Sequence, residues 1–501
     1  MPRNRRPGLT RASLFAVFPL LCSCIDSSGL APSSRPLDAH ELAPGAAIST
    51  AQAEAGWPAG QWWRAYGDPQ LDRWMDRALA GSPSLAMAAA RVRQARARAG
   101  VVEADEAPQL GLDASLQRKR WPDDAFYGPG DLARSSSWNN TSQLGFSYPL
   151  DLWGRERSRG ESALDQARAT ASEARLAALE LQGNLVRSYI GLALHHAELD
   201  IAEAELARQE QLLALTRQRR HDGIGTGLEE TRAQLGLPEA HRQIDLLHEA
   251  IALDHNQLAA LAGVGPGEGE ALQRPALSPL LDLGLPPRLP LELLGHRPDL
   301  VAARWRVAAE ARGIEAAKAD FYPNVDLLGG LGTSAVQGGV LDFLRYDKLT
   351  WGLGPALSLP VYDGGLRRGR LAEAGAGYDL AVEGYNQALV LAIKGVADAL
   401  VRLKSLREQQ HLAAESVTQA QHAFDLAQLA RQRGLTDQRA VLEAQPALLQ
   451  AQRLQQQVRA ARLVAQADLL LQLGGGVLPV AAGPQPERLT PSEPTLHIPH
   501  P

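Results

Sequence analysis

Cysteine is all but missing. The two present, Cys22 and Cys24, stand close together near the start, so the rest of the chain can build no disulfide framework, CxxC redox pair or thiolate zinc site. Aromatic residues are scarce too: they are 5% of 501 residues, with 7 Phe and 3 Met, a thin supply for large globular cores. A basic excess is also lacking. The formal net charge is -5, and loss of a leader holding Arg3, Arg5, Arg6 and Arg11 takes it to -9 (-5 minus 4), which excludes an electrostatic footprint for nucleic acid. Neither HExxH nor GxSxG occurs, and His195-His196 and His221-Asp222 have no partners at metal or triad spacing. No enzymatic activity, metal or cofactor is expected. What is abundant is Ala, Leu, Gln and Arg, the composition of long helices packed through small residues.

The N-terminus reads as an address. Four arginines precede the apolar run Ala12 to Leu21, which is too short to span a bilayer. Leu21 and Ser23 before Cys24 resemble a lipobox, in which Cys24 becomes the lipidated first residue; Cys22 fits that pattern less well. A cleaved secretory peptide with an incidental Cys is the plainer alternative. Acyl chains would anchor the protein to a membrane without spanning it. The order expected is a signal peptide over 1–23, an extended tether over 24–60, a linker at 265–289 and a disordered tail over 477–501.

Between these lies one unit written twice, at 61–264 and 290–476. Pro83 and Pro298 open Ala/Arg-rich helices that end before Pro108 and Pro323, each pair 215 apart (298 minus 83). Further on, Gly223, Leu258 and Gly263 recur as Gly434, Leu469 and Gly474, each 211 later (434 minus 223). Each unit predicts a short helix, a pair of strands, a very long helix and a returning helix.

The strands show period-two alternation. Leu110, Leu112, Ala114 and Leu116 alternate with Gln109, Asp113, Ser115 and Gln117, and Leu144, Phe146, Tyr148 and Leu150 alternate with Gln143, Gly145 and Ser147, a strand pair over 109–150. In the second unit Val325, Leu327 and Leu331 share a face, as do Trp351, Leu353, Leu357, Leu359 and Val361. Four strands cannot close a barrel, which takes about eight, so the apolar faces need an oligomer or a bilayer. Loops are placed at Arg118 to Thr141 and Ser334 to Lys348. The long helices are read from about 155 to 222 and 367 to 433. A heptad seam runs along the first from Leu164 through Leu185 and Leu192 to Leu213, and along the second through Tyr378, Val382, Tyr385, Leu389 and Val396. Both long helices turn at glycines: Gly223, Gly225 and Gly227 in one unit, Gly434 followed by Leu435 in the other.

With those elements in place, the chain resembles the TolC/OprM outer-membrane efflux family, in its lipoprotein branch. The resemblance is carried by Trp62-Trp63-Arg64-Ala65-Tyr66-Gly67-Asp68-Pro69, Tyr148-Pro149-Leu150-Asp151-Leu152-Trp153-Gly154, Arg297-Pro298-Asp299-Leu300, Phe321-Tyr322-Pro323-Asn324 and Leu442-Glu443-Ala444-Gln445. It implies a mainly α chain with a membrane β-barrel: a homotrimer whose twelve strands form one barrel on a twelve-helix periplasmic tunnel. It implies an exit duct in the outer membrane that conducts substrates after docking a periplasmic adaptor and an inner-membrane transporter of the RND type. By the same resemblance, Asp437, Arg439 and Glu443 surround a periplasmic aperture, and Gly223, Gly225, Gly434 and Leu435 form the adaptor-docking tips. This chain has Arg431 and Thr436 where family members often carry an aromatic and a basic residue around the tip glycine. The alternatives are a periplasmic coiled-coil scaffold that conducts nothing, or a duct for type I protein secretion.

Overall fold

The computed structural model describes residues 29–39, 42–43, 45–51, 57–122, 134–278, 295–336, 339–359 and 361–476. The leader with Cys22 and Cys24, most of the 279–289 half of the linker and the stretch read as a tail lie outside the described residues.

Ala, Leu, Gln, Glu and Arg are the strongest helix formers, and where they run on the chain is helical for long distances. Helix α1 spans Gly45–Ala51, α2 Pro69–Gly81 and α3 Pro83–Asp105. The long helix α4 covers Arg155–His221 and its return α5 covers Gly227–Leu261. In the second half α6 covers Pro298–Ala319, α7 Leu366–Gln432 and α8 Gln438–Gln472. Helices α4 and α7 are each 67 residues, α5 and α8 each 35, so the duplication is preserved to the residue. At 1.5 Å per residue the longer ones reach about 100 Å. Proline starts α2, α3 and α6, where its missing N–H costs nothing.

Two apolar clusters hold the bundle. In the first, Trp62, Trp63, Tyr66, Leu71 and Met75 close over Leu185, Tyr189 and Leu192 of α4 and Leu463 and Leu470 of α8. In the second, Leu300, Val307 and Ile314 of α6 pack on Tyr378, Val382, Tyr385, Leu389 and Val396 of α7. The α7 seam is therefore the one expected. The α4 seam is not continuous: Leu185, Leu192 and Leu213 are buried, but Leu164 is 44% exposed. There the buried residues are Ala167, Ala169 and Ser172, because α4 meets α6 backbone-close, and the Ser162 Oγ donates to the Ala309 carbonyl at 2.8 Å.

One further expectation needs correction. The segment read as a featureless extended tether is seated on α7: Ser33 N, Ser33 Oγ and Ser34 N donate to the Asp379 carboxylate at 2.8 to 3.2 Å. Leu37 N donates to Asn386 Oδ1 at 2.8 Å, and Ile48 of α1 is fully buried against the second cluster. His195 packs between helices, its Nδ1 2.7 Å from Asp254 Oδ2 across the α4–α5 contact, 59 residues away.

The strands are β1 Gln109–Arg120, β2 Ser136–Pro149, β3 Asn324–Ala335 and β4 Leu349–Ser358. They form one antiparallel sheet in the order β1-β2-β3-β4. Strand β2 starts well before the loop boundary read at Thr141, because its polar residues bond across the ladder: Thr141 Oγ1 to Ser115 Oγ at 2.8 Å, Asn140 Oδ1 to Gln117 N at 3.0 Å.

Candidate functional site: the pore wall and the helix tips

Register settles which residues share a face. Gln109 pairs with Ser147, Asp113 with Gln143 and Ser115 with Thr141; the ladder continues through Gly145↔Gly330, Gly330↔Gly352 and Gly332↔Thr350. The polar residues that alternate with the apolar ones along the strands therefore form one face, broadened by glycines. Opposite lie Leu112↔Leu144, Leu144↔Leu331, Leu331↔Trp351 and Phe146↔Gly329, with Leu353 beyond. These side chains point away from any core: Leu112 is 70% and Trp351 78% exposed in the single chain. Strands of 10 to 14 residues match the 9–11 that a tilted strand needs to cross a bilayer.

Aromatic residues bracket the apolar band. Trp153 stacks on Tyr322 at 4.7 Å where the sheet meets α4, and its Nε1 donates to the Pro323 carbonyl at 2.9 Å; exposed Tyr362 lies near the matching junction with α7. At the far end stand Trp138, Tyr346 and Trp351. This is the girdle pattern of outer-membrane barrels. Among the described residues no helix is long and apolar enough to cross a membrane. Strands β1 and β4 each keep one unpaired edge, which hydrocarbon does not tolerate.

At the other end, about 100 Å away along the helices, the tips are tight turns. Gly223 and Gly434 sit at φ 75° and 71°; Ile224 N donates to the Arg219 carbonyl and Leu435 N to the Ala430 carbonyl. Each tip thus thrusts out one apolar side chain, Ile224 at 67% and Leu435 at 77% exposure. Gly225 has a steric role that its expected docking part did not include: a Cβ there would lie 2.9 Å from the Arg220 nitrogen. The return helices are capped at equivalent places. Thr226 and Glu229 form a capping box, and Asp437 Oδ1 accepts from Ala440 N at 3.2 Å.

Behind the caps, charges join the two halves. Arg439 donates to Glu443 at 2.8 Å and reaches Glu229 of the first tip at 3.4 Å, while Arg219 stands 3.9 Å from Asp437. The Thr226 amide, followed by Arg439 and Arg219, holds the Glu229 carboxyl below the usual carboxylate range despite some desolvation. The hydrogen bond to Glu443 raises the Arg439 guanidinium further. Of the three residues expected at the aperture, Arg439 and Glu443 are paired, while Asp437 caps α8 and faces Arg219 instead. Sequence reasoning missed Glu229 and Arg219. The Thr226-x-x-Glu229 spacing was a usable signal for the first, being a capping box. Among the described residues no group of three His, Cys, Asp or Glu could hold a metal ion.

A sheet apolar on one face, glycine-rich and polar on the other, open at both edges and fused to paired helices of that length defines one subunit of an outer-membrane channel that extends into the periplasm. The family model for outer membrane efflux protein matches residues 74–264 and 289–475. The chain belongs to that family. It is 49% identical over 370 residues, 74% of this chain and 70% of the relative, to the fusaric acid resistance protein FusA of Burkholderia cepacia. It is 28% identical over 443 residues, 87% of this chain and 90% of the relative, to the multidrug resistance outer membrane protein MdtP of Escherichia coli. Among solved structures, the outer membrane protein VceC of Vibrio cholerae superposes with TM-score 0.76 at 31% identity, covering 84% of this chain and all of that one. The outer-membrane channel OprN gives TM-score 0.78 at 28% identity, covering 89% and 99%. Both are outer-membrane proteins, OprN an outer-membrane channel, and neither is an enzyme. The protein is an efflux duct of the outer membrane.

Proposed function

We propose that this duct is held to the outer membrane by a lipidated Cys24, docks a periplasmic adaptor through Gly223, Gly225, Gly434 and Leu435, and shuts at Asp437, Arg439 and Glu443. It then serves an inner-membrane transporter of the RND type. The observation that carries the gate is the Arg439 bridge: one guanidinium holds Glu443 on its own helix and Glu229 on the other helical hairpin. Such pairs are partly exposed and individually weak, so they can hold a tip closed and still be broken by a partner. Separating the two hairpins at this level widens the narrow end of the tunnel.

The path of the N-terminal segment supports the anchor. The Leu30 carbonyl abuts Gly375, only nine residues into α7 from its sheet end (375 minus 366), and six more residues (30 minus 24) let Cys24 travel up to about 20 Å towards the membrane. A non-conducting scaffold leaves four membrane-length strands unexplained. Fusaric acid, in the name of one relative, is the first cargo to test.

The test is ion conductance of the purified protein in a planar bilayer. Arg439→Ala is expected to raise conductance several-fold over the wild type, with the same trimer mass. Equal conductance in the two proteins removes the gate from these residues.

A further inference from the structure

Strand β1 changes chemistry at its far end without changing face. Leu110, Leu112, Ala114 and Leu116 point to the apolar side, and the same alternation puts Arg118 and Arg120 there, while Asp113, Gln117 and Lys119 point to the polar side. Arg118 lies eight residues beyond Leu110 (118 minus 110), about 26 Å along the strand at about 3.3 Å per residue. On a strand tilted by about 40° that is about 20 Å along the membrane normal, so the two arginines meet lipid near the far rim of a band about 25 Å tall. Both are exposed, and among the described residues neither has a carboxylate partner. The Arg118 guanidinium lies 5.9 Å from the centre of the Trp138 ring of β2, a contact that occupies its flat face and leaves its N–H edge for another acceptor.

A small apolar shelf stands beside them. Asn140 and Ala335 pair across β2 and β3 on the side of Leu144 and Leu331, yet they are only 1% and 6% exposed. The segment after β3 covers them: Asn140 Nδ2 donates to the Val340 carbonyl at 2.7 Å, and the turn Asp342–Leu344 lies against β2 and β3 with Phe343 buried. This segment therefore folds down on the lipid-facing side and not over the pore. It leaves Leu341 and Leu344 64% and 62% exposed. Water penalises such side chains, whereas acyl chains accept them.

We propose that Arg118, Arg120 and this shelf bind a phosphorylated glycolipid of the outer leaflet, a lipid with several acyl chains on a sugar core that bears two phosphates. The inference rests on the outer-membrane duct reading, which puts the end of the sheet away from the helices at the cell surface. Two residues apart on one face of a strand, the arginines stand about 7 Å from each other and present two guanidinium forks, the geometry that takes phosphate oxygens in pairs. The shelf begins over β2 and β3, one to two strands or about 5–10 Å to the side, where acyl chains below the phosphates would lie. A glycerophospholipid, with one bridging phosphate and two chains, fills only part of such a site.

The test is lipid retention by the purified full-length protein, read by native mass spectrometry after incubation with equal amounts of diphosphoryl lipid A and phosphatidylglycerol. The wild type is expected to keep lipid A in several-fold excess over phosphatidylglycerol. Arg118→Gln with Arg120→Gln is expected to lose that excess, and Leu341→Ser with Leu344→Ser to retain several-fold less of both lipids. Lys119 supplies the control, since it sits between the two arginines but on the pore side, with its Nζ 4.3 Å from the centre of the Trp121 ring. Lys119→Gln removes the same kind of charge and is expected to keep the excess. Equal retention of the two lipids by the wild type, or an equal loss in Lys119→Gln, overturns the site while a conducting wild-type protein leaves the duct standing; a wild type that conducts nothing in a planar bilayer removes both. Should the double arginine variant fail to fold, monophosphoryl lipid A offered to the wild type gives the answer: several-fold weaker retention than of the diphosphoryl form is expected, and undiminished retention overturns the site.

Discussion

Gly434 turns the second tip with φ at 71°, where an L side chain costs about 1–2 kcal/mol, yet a Cβ there would touch nothing. Gly434→Val therefore strains only an exposed turn far from both cores. It is expected to leave the trimer intact on a native gel and to abolish resistance conferred by the assembled pump; normal resistance in that strain would sink the docking proposal. Glu229 gives the matching pH prediction. Its carboxyl is held below the ordinary range, so the stability it lends the tip is complete above the ordinary carboxylate pKa and lost as pH falls through the folded value. Amide protection around Thr226, taken relative to the intrinsic exchange rate at each pH, should fall in acid below about pH 4, a loss that Glu229→Gln flattens. The family resemblance placed Asp437, Arg439 and Glu443 together, and they fall within six residues (443 minus 437) at the start of α8. Sequence could not place Glu229 beside Arg439, 210 residues away, since only the folded hairpins bring those charges to one level.

Helices and strands were legible wherever a period ran unbroken: the 3-4 spacing of α7 and the alternation of β1 each predicted the buried or lipid-facing side. What stayed hidden was contact without period. The N-terminal segment is fixed by hydrogen bonds from Ser33, Ser34 and Leu37 to Asp379 and Asn386, which leave no pattern in composition. Asp379→Ala is expected to free the segment, so that the Ser33, Ser34 and Leu37 amides exchange with solvent several-fold faster while helix content is unchanged; equal exchange rates would show that the clamp contributes nothing. A second hidden contact lies between α4 and α5, where the Nε2 atoms of His196 and His255 are buried without a hydrogen-bond partner. Burial, then for His196 the nearby Arg274, pushes both imidazoles below their ordinary value, although Asp200 and Asp254 oppose it. The unfolded chain then takes up protons first as pH falls, so stability should decline from about pH 6.5 downward until the folded values are passed. Thermal melts between pH 8 and 5 should show this slope, reduced in His196→Gln with His255→Gln.

At the scale of the whole molecule, the shortage of strands was the most informative thing the sequence contained. Four strands with two free edges have no stable place in a bilayer, and three copies make twelve that close on themselves. Which face points outward follows from the same argument, because hydrocarbon penalises charge and water does not. Leu112 and Asp113 are neighbours in β1 yet stand on opposite faces of the sheet. Leu112→Arg places a cation in the apolar band, at a cost of about 2–4 kcal/mol per protomer near the midplane, repeated in every copy of the barrel. Asp113→Asn only changes the charge lining a wet pore. The first variant is expected to fail to insert, with the protein recovered outside the heat-modifiable trimer band. The second should insert normally and conduct with reduced preference for cations, read as a shift in reversal potential under a salt gradient. Normal insertion of Leu112→Arg together with an unchanged reversal potential in Asp113→Asn would mean that the sheet is turned the other way round.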